Sequence, residues 1–300
     1  MSSWICIFYP RSLIWAGGLY ISSVDFSCFS TKYGDCEALE EREIQVTFTL
    51  FLCLHINNLK CNKMNDIVTK MIADQEALRR RIDEIAKANN LSSEKLLPIY
   101  DGVEDISAYL KSEPKIMWIL KEPYDYINEE TKEPEGGGWN IMDGINDPKE
   151  KVLTQTLPRT MQRVIYSTAG IIADVEYDNM DYYYQPDMYK YLFQIAYINL
   201  SKMPAGTRSG DMTEKYKIWK DLIFDQIKLY APDVIIFGGT FQDMWQDLHI
   251  NHEPLARGLV DIYKQDKRLL VHAYHPGMMC STKQYVDTMT RMIRENLKSR

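Results

Sequence analysis

An acid, an amide and a histidine each stand at or just beyond the end of a short apolar run in this chain. Glu122 follows KIMWIL, Asn199 lies in AYINLS, and His275 closes KRLLVHAYH. A carboxylate can stabilise developing positive charge or direct a water, and an imidazole N–H can stabilise developing negative charge. A side-chain amide donates at one end and accepts at the other, so it can read the edge of a flat heterocycle. A fourth run, PDVIIFGG, ends in Gly238-Gly239-Thr240, which reads either as a tight strand-to-helix turn or as a phosphate seat at a helix start. Each residue also has a bland reading. Glu122 could pair with a lysine, Asn199 could be satisfied by backbone, and His275 could be a turn histidine, with His272 a satisfied strand residue.

Residues that must cooperate need elements that bring them together. The apolar stretches 115–122, 196–201, 232–239 and 267–277 have the continuous character of strands buried on both faces. Helical patterns lie between them at 157–172, around 187–195, and at 213–231 with Thr213 as cap; a last helix covers 281–298. Alternation of this kind predicts an α/β fold, a three-layer α/β/α sandwich on a four-stranded parallel sheet. Such sheets bind ligands at the carboxyl ends of their strands, where these residues fall. Ahead of this domain, 64–90 predicts an amphipathic helix burying Ile67, Val68, Met71, Ile72, Leu78, Ile82 and Ile85. A second helix is expected from a cap at Ser92 or Ser93, giving a helical pair that packs on the main domain or forms a helix-turn-helix.

Strand-Glu-Pro-Tyr, strand-Asn-Leu and strand-Tyr-His-Pro, in that order, resemble the uracil-DNA glycosylase superfamily over roughly residues 112–298. The resemblance implies hydrolysis of the bond between deoxyribose and uracil or a related damaged base. Glu122 would take the acid's place and His275 that of the leaving-base donor. Asn199 would read the base edge, and Tyr124 would exclude bulk at the pyrimidine 5-position. Met278 or Met279 would enter the duplex to hold the base flipped out. Trp139, in EPEGGGWN, is the candidate stacking partner or part of a surface loop, and Tyr182, Tyr183 and Tyr184 read as packing or surface. Lys202, Arg208 and Ser209 are candidate phosphate contacts or a solvated loop. The chain departs from the family pattern at Leu120, where glycine is common, at Glu122, where aspartate is usual, and at Gly277-Met278, where Ser-Pro often stands. No metal or organic cofactor is implied. Only Cys280 lies in this region, so no iron–sulfur cluster is expected.

The bulk properties narrow the partners. A formal charge of −7 gives no general basic field, and residues 64–300 still carry 30 basic against 36 acidic side chains. Two rivals follow: a glycosylase-fold protein that binds nucleic acid or a nucleotide without cleaving it, and a different enzyme acting on a small nucleoside-like ligand. Five of the six cysteines fall within residues 1–63, where the composition also differs. That segment reads as sequence upstream of a start at Met64, or as a poorly ordered extension. The expected organisation is therefore 1–63 leader, 64–111 helical extension and 112–300 glycosylase-like domain. The chain is expected to be cytoplasmic, monomeric and without membrane association.

Overall fold

The computed structural model describes residues 14–15, 19–20, 37–140, 158–205 and 211–298. The chain divides into two compact units, Met1–Asn62 and Lys63–Arg300. In the first, β1 (Ile14–Trp15) pairs antiparallel with β2 (Leu19–Tyr20). Helix α1 runs Glu37–Ala88, so it begins well before the expected start at 64; its residues from Lys63 onward belong to the second unit.

The second unit is a mixed α/β structure. In chain order it contains β3 (Gly102–Val103), α2 (Ile106–Lys111), β4 (Ile116–Leu120), α3 (Pro158–Ala173), α4 (Pro186–Tyr189) and β5 (Ile195–Asn199). These are followed by α5 (Met212–Tyr230), β6 (Val234–Gly238), α6 (Phe241–Met244), β7 (Val260–Gln265), β8 (Arg268–Ala273) and α7 (Thr282–Lys298). Its sheet has six strands in the order β3-β5-β4-β6-β8-β7. The four central strands are mutually parallel and are those expected from the apolar runs. The sheet is not purely parallel, however, because β3 and β7 add antiparallel edges. Both edges escape a search for apolar runs. β3 is two residues long, and β7 mixes buried with more exposed positions before a turn at Asp266, whose φ is 54°.

Helices cover both faces of the sheet, and the pleat assigns residues to each. Ile116, Trp118 and Leu120 pack with Val164 and Ile165 of α3 and with Tyr285 and Met289 of α7. Met117 and Ile119, between them, face Leu78, Ile82 and Ala86 of α1 and Trp219, Leu222 and Ile223 of α5. Two expectations for 64–111 are corrected here. Ile67 and Ile72 are exposed, and the buried stripe is Met71, Gln75, Leu78, Ile82 and Ala86. Gln75 belongs to that stripe because its amide both donates to and accepts from the backbone of Val103, closing the short edge strand. No helix starts at Ser92 or Ser93: α2 begins later, where Asp105 accepts from Ala108 N–H. Likewise Asp211, not Thr213, caps α5.

Among the described residues no helix is long and apolar enough to cross a membrane. Ile236 occupies the middle of β6, is fully buried, and sits between β4 and β8. Ile236→Ala is expected to cost about 3 kcal/mol, because the two sheet neighbours hold the cavity open. A urea unfolding midpoint unchanged from wild type would contradict this packing.

Candidate active site

Parallel pairing brings the carboxyl ends of β5, β4, β6 and β8 to one edge of the sheet. Leu120 is in register with Asn199, Ile119 with Phe237, and Gly238 with Ala273. Strand axes are about 4.8 Å apart, so β5 and β8 lie about 14 Å from one another. The loop after β8 shortens that span by folding back over β6. Gly239 N–H donates to Ala273 carbonyl at 2.8 Å, and a Cβ on Gly239 would lie 3.1 Å from His275 Cβ. Gly239 also has a φ of 75°. A Cβ on Gly238 would overlap Leu120 and press on Pro276. The glycine pair is therefore a tight turn that lets the histidine loop rest against the exit of β4.

Glu122 is buried, and its carboxylate is paired through Oε2 with Lys215 of α5. Its other oxygen, Oε1, is buried with no hydrogen-bond partner among the described residues. An acceptor in that condition costs stability unless a water or ligand supplies a donor. Tyr124, half-buried, is tied to the β5 exit by Ala205 N–H donating to the Pro123 carbonyl at 3.0 Å. Burial, and then the nearby Glu122 carboxylate, raises its phenol above the ordinary tyrosine value.

Asn199 ends β5 and is buried. Its backbone N–H donates to Asp101 Oδ2 at 2.8 Å and its carbonyl accepts from Lys202 Nζ at 2.8 Å. Its side-chain amide makes no hydrogen bond among the described residues.

His275 has a defined tautomer. Gly277 N–H donates to its Nδ1 at 3.0 Å, so the proton of the neutral ring sits on Nε2. Burial, reinforced by the Lys121 ammonium, pushes its pKa from 6.5 down to about 4. The site thus holds a neutral imidazole with one donor. The loop that carries it is clamped by Arg163 of α3, which is fully buried. The Arg163 guanidinium donates to the carbonyls of Pro276 at 2.9 Å, Met278 at 2.8 Å and Cys280 at 2.5 Å, and lies 5.0 Å from the Tyr285 ring.

Other candidates are placed differently. Lys202 is fully buried, and its three donors go to Asp101 Oδ2 at 2.7 Å, the Asn199 carbonyl, and Gln226 Oε1 at 3.0 Å. It has no donor left for a phosphate, which corrects its assignment to DNA binding. Arg208 and Ser209 lie outside the described residues. Met278 is half-buried; the exposed methionine of the loop is Met279, at 84%. Thr240 donates to the Ile119 carbonyl at 2.8 Å and is buried, so the Gly-Gly-Thr segment is a structural turn.

Trp139 is a packed wall rather than a free stacking surface. Its Nε1–H donates to Asp125 Oδ2 at 2.7 Å and its ring lies against the core on the α3 side of the sheet. The same Asp125 oxygen accepts from Gly137 N–H at 2.7 Å. The glycines of this loop make their close approach to the chain itself: Gly136 and Gly138 exchange backbone hydrogen bonds with Lys95, Leu97 and Pro98.

Sequence reasoning missed Asp101, Asp125, Arg163 and Lys215. Each is an ordinary charged residue in a helix or loop, and only the partner across the fold gives it a role. Among the described residues no group of three or more His, Cys, Asp or Glu is placed to hold a metal ion. The chain matches no protein-family model and no curated protein.

The depressed His275 pKa has a signed consequence. The unfolded chain takes up this proton near pH 6.5, before the folded chain does, so stability is full above 6.5 and declines as pH falls toward 4. Urea unfolding followed across that window is expected to show a shallower pH slope for His275→Gln than for wild type. Equal slopes would mean that His275 is not held neutral.

Proposed function

We propose that the strand-end site belongs to a DNA glycosylase that hydrolyses the bond between deoxyribose and uracil or a related damaged base. The observation that carries this reading is that Oε1 of the buried Glu122, unpartnered among the described residues, lies on the same sheet edge as the Asn199 amide and the neutral His275. Breaking an N-glycosidic bond leaves positive charge on the sugar and negative charge on the base. Glu122 Oε1 would accept a proton from water, directing the oxygen onto the anomeric carbon. His275 Nε2–H would donate to the base oxygen where negative charge gathers. A neutral donor suits this task, because it offers a hydrogen bond without needing to be protonated at neutral pH.

Asn199 would distinguish uracil from cytosine by presenting both a donor and an acceptor, and Tyr124 would limit bulk at the 5-position. Met279, the exposed residue of the histidine loop, is better placed than Met278 to hold a gap in a duplex. Helices on both faces of four parallel strands fit the three-layer α/β/α arrangement that this reading expects. The partner would be DNA containing the altered base, with no metal or organic cofactor required.

One observation favours a second reading, in which the protein binds the base without cleaving its bond. The Lys215 ammonium already neutralises Glu122, which weakens what the carboxylate can offer a sugar cation. The two readings separate in one assay. Uracil-containing single- and double-stranded oligonucleotides are incubated with the protein, and free base is measured alongside affinity. Release of uracil, reduced at least about a hundredfold by Glu122→Gln, supports hydrolysis. Selective binding without release supports the second reading. Neither release nor selective binding overturns both.

A further inference from the structure

Asn199 lies over a polar cluster of Asp101, Lys202 and Gln226, each no more than 1% exposed. Asp101 Oδ2 accepts from Asn199 N–H at 2.8 Å and from Lys202 Nζ at 2.7 Å, while Oδ1 accepts from Gln226 Nε2 at 2.8 Å. Lys202 Nζ returns to the Asn199 carbonyl at 2.8 Å and to Gln226 Oε1 at 3.0 Å. Every N–H of the lysine is used, and both ends of the glutamine amide are engaged.

The cluster exists where the sheet runs out. β3 pairs with β5 only through Gly102–Tyr197 and Val103–Ala196. Beyond Gly102 the outer side of β5 has no ladder partner among the described residues, and Asp101 supplies one with its side chain. Lys202 performs the complementary task for the carbonyl. An ion pair so deeply buried is a poor source of stability, because apolar residues of similar volume avoid its desolvation. What apolar residues cannot supply is a grip on both polar groups of residue 199, which fixes the backbone angles from which its amide projects. The side-chain amide itself makes no hydrogen bond among the described residues, so the grip on residue 199 is through its backbone alone.

We propose that the Asp101–Lys202–Gln226 network is a positioning device that sets the direction of the Asn199 amide and thereby the base selectivity of the strand-end site. This rests on the reading of Asn199 as the residue that contacts the base. The three residues touch no substrate and act through Asn199.

The test compares affinities of the full chain for oligonucleotides that differ only in carrying uracil or cytosine. Wild type is expected to prefer uracil. Lys202→Met and Gln226→Leu are expected to shrink that preference by roughly tenfold, the scale of one well-aimed pair of hydrogen bonds to a base. A merely structural cluster would lower thermal stability, or both affinities together, and leave their ratio alone. Gln226→Leu keeps the Asp101–Lys202 pair and serves if Lys202→Met does not fold. If folded variants retain the wild-type ratio, or if neither variant folds, the inference falls while the reading of Asn199 stands. If wild type itself does not separate the two bases, that reading fails and the inference falls with it.

Discussion

The organisation of this protein depends on burying β4 from both sides. Ile116 to Leu120 are at most 2% exposed, and their side chains alternate between two separate hydrophobic cores. Such a strand must lie inside a sheet, with neighbours on each edge and helices above and below. β5 and β6 pair with it in parallel, which fixes all their exits at one end. An apolar strand thereby becomes the reference for the polar site: whatever follows Leu120, Asn199 and Gly238 is delivered to the same edge.

Around that reference the polar residues divide into those held and those left open. Arg163 spends its guanidinium on three carbonyls of the histidine loop, and Asp125 ties the glycine loop to Trp139. Lys202 and Asp101 hold the peptide groups of Asn199. Among the described residues, one oxygen of Glu122 has no hydrogen-bond partner and the side-chain amide of Asn199 makes no hydrogen bond. Fixed supports beneath unsatisfied functional groups are what a binding or catalytic site needs, since the groups that meet the ligand then reorganise little. The Glu122 carboxylate is gripped by Lys215 of α5 through one oxygen, while the other has no hydrogen-bond partner among the described residues.

The apolar runs and helical patterns of the sequence were enough to identify the four central strands, helices α3, α5 and α7, and the exits carrying Glu122, Asn199 and His275. These signals are local: continuous burial writes itself as an uninterrupted apolar run, and an amphipathic helix as a period near 3.6. Tertiary structure alone decided the edges of the sheet, since two-residue β3 and part-exposed β7 have weak patterns and exist by pairing with β5 and β8. It also decided the burial of α1, where Ile67 and Ile72 face outward while Gln75 is drawn in by the backbone of Val103. Charged residues proved least legible. Lys202 looked like a loop cation and is a buried strut, because a charge's role depends on the partner that folding places beside it, and that partner, Asp101, lies 101 residues away in sequence.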